Sequence, residues 1–467
     1  MAQIPILNGV YTDQAPDFRV SYPVNMIPVA MNQGISNGYL RPADGLVTFG
    51  TGSGVDRGGI EWQGICYRVM GTKLVSIASD GSVTELGDVG GTGQVTFDYS
   101  FDRLAIASSG NLFYWDGSTL AQVTDPDLGT VVDFCWVDGY FFTTDGEFLI
   151  VTELNDPFAV DPLKYGSSEI DPDPVKAIIK LRNEVYVLNR NTIEVFDNVG
   201  GEFFPFQRID GAQIQKGVLG THACCQFVDN IAFLGSGRGE SPAIYVGANA
   251  NAVRISTREI DTLLQTYTEA ELSTILMESK VDKAQQHLWI HLPDRTIVYD
   301  AAASQAVGQP VWFTLTSALI DYAQYRARNL VWCYDKWLCG DTLTSNHGYL
   351  DDSISTQYGS HVRWEFGTII IYLNGVGGII NNLELVALTG SVAFGLDPTI
   401  STSYSVDGIN WSQDKFIRVG KLGDRAKRLV WFQQGHMRNW RIQRFKGDSQ
   451  AHVSFARLEA QIEPLAY

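Results

Sequence analysis

Asp133, Asp294 and Asp300 are carboxylates that, gathered at a propeller mouth, would hold a divalent ion or split a glycosidic bond. There, two acids about 5 to 9.5 Å apart protonate the leaving oxygen and supply a base or nucleophile. These three stand singly at strand ends, where Asp is commonly a turn former. His287 and His291 share a strand face at a four-residue spacing, but the Glu of a metalloprotease helix is missing. They read as packing among Tyr and Trp. Gly235-Ser-Gly-Arg-Gly-Glu-Ser241 lacks the Lys-Ser/Thr ending and the following helix of a phosphate loop, and Gly87-Asp-Val-Gly-Gly-Thr-Gly93 has no βαβ unit around it. Both read as turns. Cys66, Cys135, Cys224, Cys225, Cys333 and Cys339 lack paired zinc spacing and read as buried free thiols. No enzyme activity, cofactor or metal is expected.

One cluster has more weight. Arg425, Lys427, Arg428, Arg438, Arg441 and Arg444, with Lys415, Arg418, Lys421 and Lys446, interleave with Trp431, Phe432, Trp440 and Phe445. In an acidic chain such a cluster can steer identical subunits together, face an acidic protein or touch DNA. A solvated surface is the plain alternative. Alternation in Trp440-Arg-Ile-Gln-Arg444 puts Arg441 opposite Trp440 and Ile442, so Arg441 is expected to be exposed.

The formal net charge is -18, from 34 basic and 52 acidic residues. That argues against a binder that neutralises phosphates along a basic track. It suits a conduit whose wall repels its cargo, and it also suits plain solubility. Met1-Ala-Gln-Ile-Pro-Ile6 has neither the basic region nor the apolar core of a signal peptide, and no run reaches the roughly 18 apolar residues of a membrane helix. Synthesis and assembly in cytosol are expected.

The elements that hold these residues are strand hairpins. Ile65–Ile77, Arg103–Asp116, Val137–Ile150, Glu184–Phe196, Asn230–Gly247 and His287–Tyr299 each join an apolar strand to an aromatic one across a Gly, Asn or Asp turn. Units start near 65, 104, 137, 184, 230, 287 and 331. Their irregular spacing predicts a distorted all-β propeller over residues 61–360, preceded by an extended segment over 1–60 that closes the ring or contacts a neighbour. Pro157 to Pro174 reads as a surface excursion that can hold neither helix nor inner strand.

A helix pair is predicted at 256–277. Ser256 is a candidate cap, Ile260, Leu263, Leu264 and Tyr267 recur at helical spacing, and Thr268 with Glu271 forms a capping-box pattern before Leu272, Ile275 and Leu276. The pair reads as a docking element or as cover for a sheet edge. Residues 361–467 read as about seven antiparallel strands of a β-sandwich, with a tight turn at Asp407-Gly-Ile-Asn-Trp411.

Several segments carry a resemblance: Tyr22-Pro-Val-Asn-Met26, Gly38-Tyr-Leu-Arg41 with Asp44-Gly45, Glu85–Val95, Asn191–Phe196, Gln215–Thr221, Ser256–Glu278, and His291-Leu-Pro with Val298-Tyr-Asp300. Together they resemble the tail hub, or nozzle, family of P22-like short-tailed bacteriophages, also called packaged-DNA stabilisation proteins. The last third resembles it less closely, through Ser405–Trp411 and Arg428–Trp431. The resemblance implies a homohexameric ring below the portal and its adaptor ring, retaining packaged DNA and forming the conduit for its ejection. It also implies a tail needle or plug, tailspike or fibre partners, double-stranded DNA passing without sequence readout, and a place in the virion tail. Rival readings are a propeller-type glycan-binding module, a hydrolase, or an unrelated capsid or fibre component.

Overall fold

The computed structural model describes residues 2–7, 9–12, 19–30, 36–154, 156–201, 203–283 and 285–465. Seven antiparallel sheets follow one another as the blades of a propeller. Their inner strands are Asp56–Trp62, Thr96–Tyr99, Asp133–Val137, Val175–Leu181, Cys224–Phe227, Leu276–Asp282 and Ala327–Cys333. Each lies against the next and the last returns to the first, so the ring is closed. The aromatic-rich hairpins of the sequence are largely the second and third strands of these blades, as in Ile65–Met70 with Lys73–Ile77. Those strands are sandwiched between neighbouring blades and buried on both faces, which is why they read as near-continuous apolar runs.

Closure comes from the chain's beginning. Gly45–Thr51 is the outer strand of blade seven, paired with Asn346–Asp351. Gly348 lets that strand in, since a Cβ there would meet the Val47 carbonyl oxygen and the Tyr358 ring. The rest of the lead-in serves the sandwich. Met26–Ala30 and Gly38–Pro42 form a hairpin that joins its sheet through Leu40 and Phe455, and Ala2–Ile4 pairs with Ser454–Pro464. What reads as one extended segment is therefore divided between both units.

Pro157 and Pro162 lie in Asp156–Ser167, the outermost strand of blade three, where a missing N–H leaves no ladder unpaired. Two short helices connect blades five and six: α1 (Arg258–Leu264) and α2 (Glu269–Leu272). The capping box is present, with Thr268 accepting from the Glu271 amide and Glu271 accepting from the Thr268 amide. Two details correct the expected pair. Thr257, not Ser256, precedes α1, and Ser256 instead donates to Asp261 at 2.6 Å. The second helix ends at Leu272, because Leu276 already begins the inner strand of blade six against Gln285–His291. Closing the ring overrides local helical spacing there. A third helix, α3 (Ala301–Val307), packs on blade six.

The sandwich faces a sheet built around Ser454–Pro464 and Gly378–Leu388 against one built around Trp440–Asp448 and Thr399–Ser405. Between them lie Trp364, Phe366, Phe445, Phe455 and Trp431, with neighbouring ring centroids 5.0 to 5.7 Å apart. Fully burying such rings removes about 150 to 250 Å² each from water, the main stabilisation of this layer. Among the described residues no helix is long and apolar enough to cross a membrane.

Candidate interaction surfaces

The acids do not gather. Asp133, on the inner strand of blade three, accepts from Thr96 Oγ1 at 2.9 Å and from the Ile178 amide at 2.8 Å. It thus ties blades two, three and four together. Asp98 accepts from the Trp136 amide at 2.6 Å, and Glu278 accepts from the Leu330 amide at 2.7 Å while its other oxygen lies 2.6 Å from His291 Nε2. Burial pushes the Asp133 carboxyl up to about 7, against the pull of its hydrogen bonds. Asp300 caps α3 through the Ala303 amide and lies 3.2 Å from His287 Nε2. Asp294 sits in the adjacent turn with Arg295 and Tyr267. Each carboxylate has a structural partner, and among the described residues no three His, Cys, Asp or Glu groups are placed to hold a metal.

The glycine loops are connections between strands. Gly235 to Ser241 joins Asn230–Ser236 to Ala243–Ala248. Around Gly87 to Gly93 the polarity is opposite to that of a phosphate cradle. Arg57 donates to the carbonyls of Gly71 at 2.9 Å, Gly90 at 2.7 Å and Gly93 at 2.6 Å, so oxygens rather than amides point inward.

The basic cluster divides. Arg425, Lys427 and Arg438 are exposed, with no ion-pair partner among the described residues. Arg428 is exposed but held by Glu384 at 2.8 Å. Arg444 is half-buried, 3.7 Å over the Trp411 ring and 3.8 Å from Glu365. Arg441, expected on the surface, is fully buried. The alternation is right and the wet face is not. Arg441, Gln443 and Phe445 point into the sandwich, while Trp440 and Ile442 are covered by Val10 and Tyr11 of a short strand, Val10–Thr12, that pairs with Arg19–Ser21. The guanidinium lies 3.9 Å over the Tyr404 ring and donates to Gln443 Oε1 at 2.8 Å and to the Gln434 carbonyl at 2.6 Å. Burial without a carboxylate pulls it down to about 10. Sequence patterning misses this, because a face with two polar residues reads as wet.

The helix pair turns its apolar side inward. Ile260, Leu264, Leu272 and Ile275 are buried in the core of blades four to six, and Leu263 and Tyr267 pack on its edge. No apolar face is left over at these six positions for a partner to cover.

Between propeller and sandwich lies a cleft of about 1040 Å³. Its floor is an ion cluster that the sequence did not single out: Asp44 receives Arg41 at 2.7 Å and Lys280 of blade six at 2.8 Å. Burial raises the Asp44 carboxyl, but the two cations outweigh it and hold it well below the usual range. His452 of the sandwich adds a contact 2.7 Å from Ser355.

Two family models match this chain in tandem, "Bacteriophage P22 Gp10, beta-propeller" over residues 2–355 and "Bacteriophage P22 Gp10, beta-sandwich" over residues 363–463. The tail hub protein gp10 of Salmonella phage P22 is 28% identical over 460 residues, covering 93% of this chain and 94% of that one. Among solved structures, the Neurospora crassa Pan2 WD40 domain aligns with 69% of this chain and 97% of its own at 8% identity and a TM-score of 0.43. BamB from Moraxella catarrhalis aligns with 75% and 97% at 11% identity and a TM-score of 0.38. With a propeller and a sandwich in the same order and both models matched across them, the chain belongs to the P22 Gp10 family of phage tail hub proteins, structural components of the tail.

Proposed function

We propose that six copies of this chain form a hub, or nozzle, beneath the portal and its adaptor ring, holding packaged DNA in the head and lining the path by which it leaves. The observation that carries this reading is the alignment with the P22 tail hub protein across 93% of this chain and 94% of that one. Two features of the molecule support it. The propeller is closed by its own amino-terminal strand, which suits a part under mechanical load. The net charge of -18 suits a wall along which a polyanion slides without sticking. In this reading a tail needle or plug and tailspikes or fibres are further partners, and assembly takes place in the host cytoplasm.

The test is the mass and symmetry of the purified chain, alone and with the portal adaptor ring, by mass photometry and class averages. Capsids filled in its presence and absence should then be compared for DNA that stays nuclease-protected. A sixfold ring and loss of protected DNA without the chain are expected. A persistent monomer that ignores the adaptor would overturn the reading and favour a glycan-binding module or a hydrolase.

A further inference from the structure

Charge is segregated along this chain. Residues 361–467 carry twelve Lys and Arg against nine Asp and Glu, a net of +3, while residues 116–210, spanning blades three and four, carry six against eighteen, a net of -12. The excess cations of the sandwich collect at one tip. Its two loops are joined by the Gly423 amide donating to the Gly390 carbonyl at 3.0 Å and by Thr389 Oγ1 donating to the Asp424 carbonyl at 2.9 Å. Lys421, Arg425 and Lys427 stand exposed there without ion-pair partners among the described residues, around Phe394, which is 92% exposed, and Leu422, 56% exposed.

The complementary surface is on blade three. Its outer strand, Asp156–Ser167, is the edge of that sheet, with the Val160 amide donating to Asp125 at 3.0 Å and Pro157 and Pro162 blunting the ladder. Leu163 is 65% exposed and Tyr165 55%, with Phe148 stacked edge-on to Tyr165 at 5.5 Å. Exposed Glu147, Asp156 and Glu169 flank them. The sandwich is anchored across the ring from blade three. The sandwich is fastened at blade six, through Val24 to Thr314 and Asp44 to Lys280, and just beyond blade seven, through Ser355 to His452. In a ring of seven, the position opposite the junction of blades six and seven is blade three.

We propose that the basic, apolar tip of the sandwich docks on the acidic outer edge of blade three of a second copy of this chain, head to tail. Opposite signs steer the two surfaces together, and the exposed rings give the contact a dry centre. A head-to-tail contact between two different surfaces forms a ring when its repeated rotation closes on itself. This rests on the ring reading above and names the surfaces that would form it.

The test uses the full chain, alone and on the portal adaptor ring, with ring fraction followed by mass photometry across concentration. Lys421→Glu/Arg425→Glu/Lys427→Glu should raise the half-assembly concentration by about tenfold or more, and Glu147→Lys/Glu169→Lys should do the same. All five changes in one chain should restore assembly to within about threefold, since both signs are then reversed. The affected side chains are exposed, so unchanged thermal unfolding checks the fold. As a second measurement, Phe394→Cys with Leu163→Cys should give copy-to-copy disulfides in assembled rings. Rings indifferent to the charge reversals would overturn the docking while leaving the ring intact. A wild-type chain that never forms rings would overturn the ring reading itself. Reversals that spare the ring but abolish binding of a labelled DNA duplex, or attachment to the adaptor, would assign the tip to that partner and overturn the docking.

Discussion

In the propeller, buried and half-buried carboxylates take up backbone amides of the next blade: Asp98 from Trp136, Asp133 from Ile178 and Glu278 from Leu330. In the sandwich, the most deeply buried charge is a cation, Arg441, resting on an aromatic ring and donating to Gln443 and a carbonyl. The difference follows from the edges each architecture leaves. A blade's inner strand is a sheet edge, with every second amide turned towards the next blade and no ladder to receive it. An unpaired buried amide is costly, so an acceptor side chain is placed opposite. The sandwich closes most of its ladders by wrapping the amino-terminal strands around it, and its polar interior can use a donor.

This contrast can be broken most severely where the two units meet. Asp44→Ala leaves Lys280 buried with only Asp282 at 4.0 Å. The expected loss is about 3 to 5 kcal/mol, with chemical denaturation separating into propeller and sandwich transitions. An unshifted single transition would show that the ion cluster does not clamp the units. The sign with pH is fixed by the depressed carboxyl. Its stabilisation is present above the ordinary carboxylate pKa and is lost as the pH falls through the lowered one.

Within the sandwich, Arg441→Ala should cost about 2 to 4 kcal/mol, from lost packing on Tyr404 and stranded partners. Arg438→Ala, on the exposed side of the same cluster, should stay within about 0.5 kcal/mol. Equal effects at the two positions would contradict the buried placement of Arg441. In the propeller, Asp133 has a carboxyl raised by burial to about 7, so its effect on stability runs the other way from that of Asp44. Its contribution is greatest below the unfolded pKa near 4 and falls, on the order of 1 kcal/mol per pH unit, as the pH rises towards 7. Asp133→Asn keeps an acceptor for the Ile178 amide and should flatten that dependence in denaturation midpoints between pH 4 and 7. At α2, Thr268→Ala removes the capping box at about 1 kcal/mol, seen in the same midpoints.

Features held by neighbours in the chain were legible beforehand. The aromatic hairpins mark blades because each second strand is enclosed on both faces, while the number of blades was settled only by the closed ring. The Thr268 capping box and the turn at Asp407, whose carboxylate accepts from the amides of Ile409 and Asn410 at 2.9 and 2.7 Å, are local in the same way. The change of character after residue 360 likewise announces a second unit. Other features depend on segments hundreds of residues away. Gly45–Thr51 closes blade seven, and Lys280 finds Asp44 236 residues earlier. Leu276 leaves its helical spacing because the ring needs an inner strand at that place. Arg441 shows the reason most plainly. A period of two dictates which side chains share a face of a strand, but which face stays wet depends on what lies against it, and here the strand Val10–Thr12 covers the outer face, leaving the cation inside.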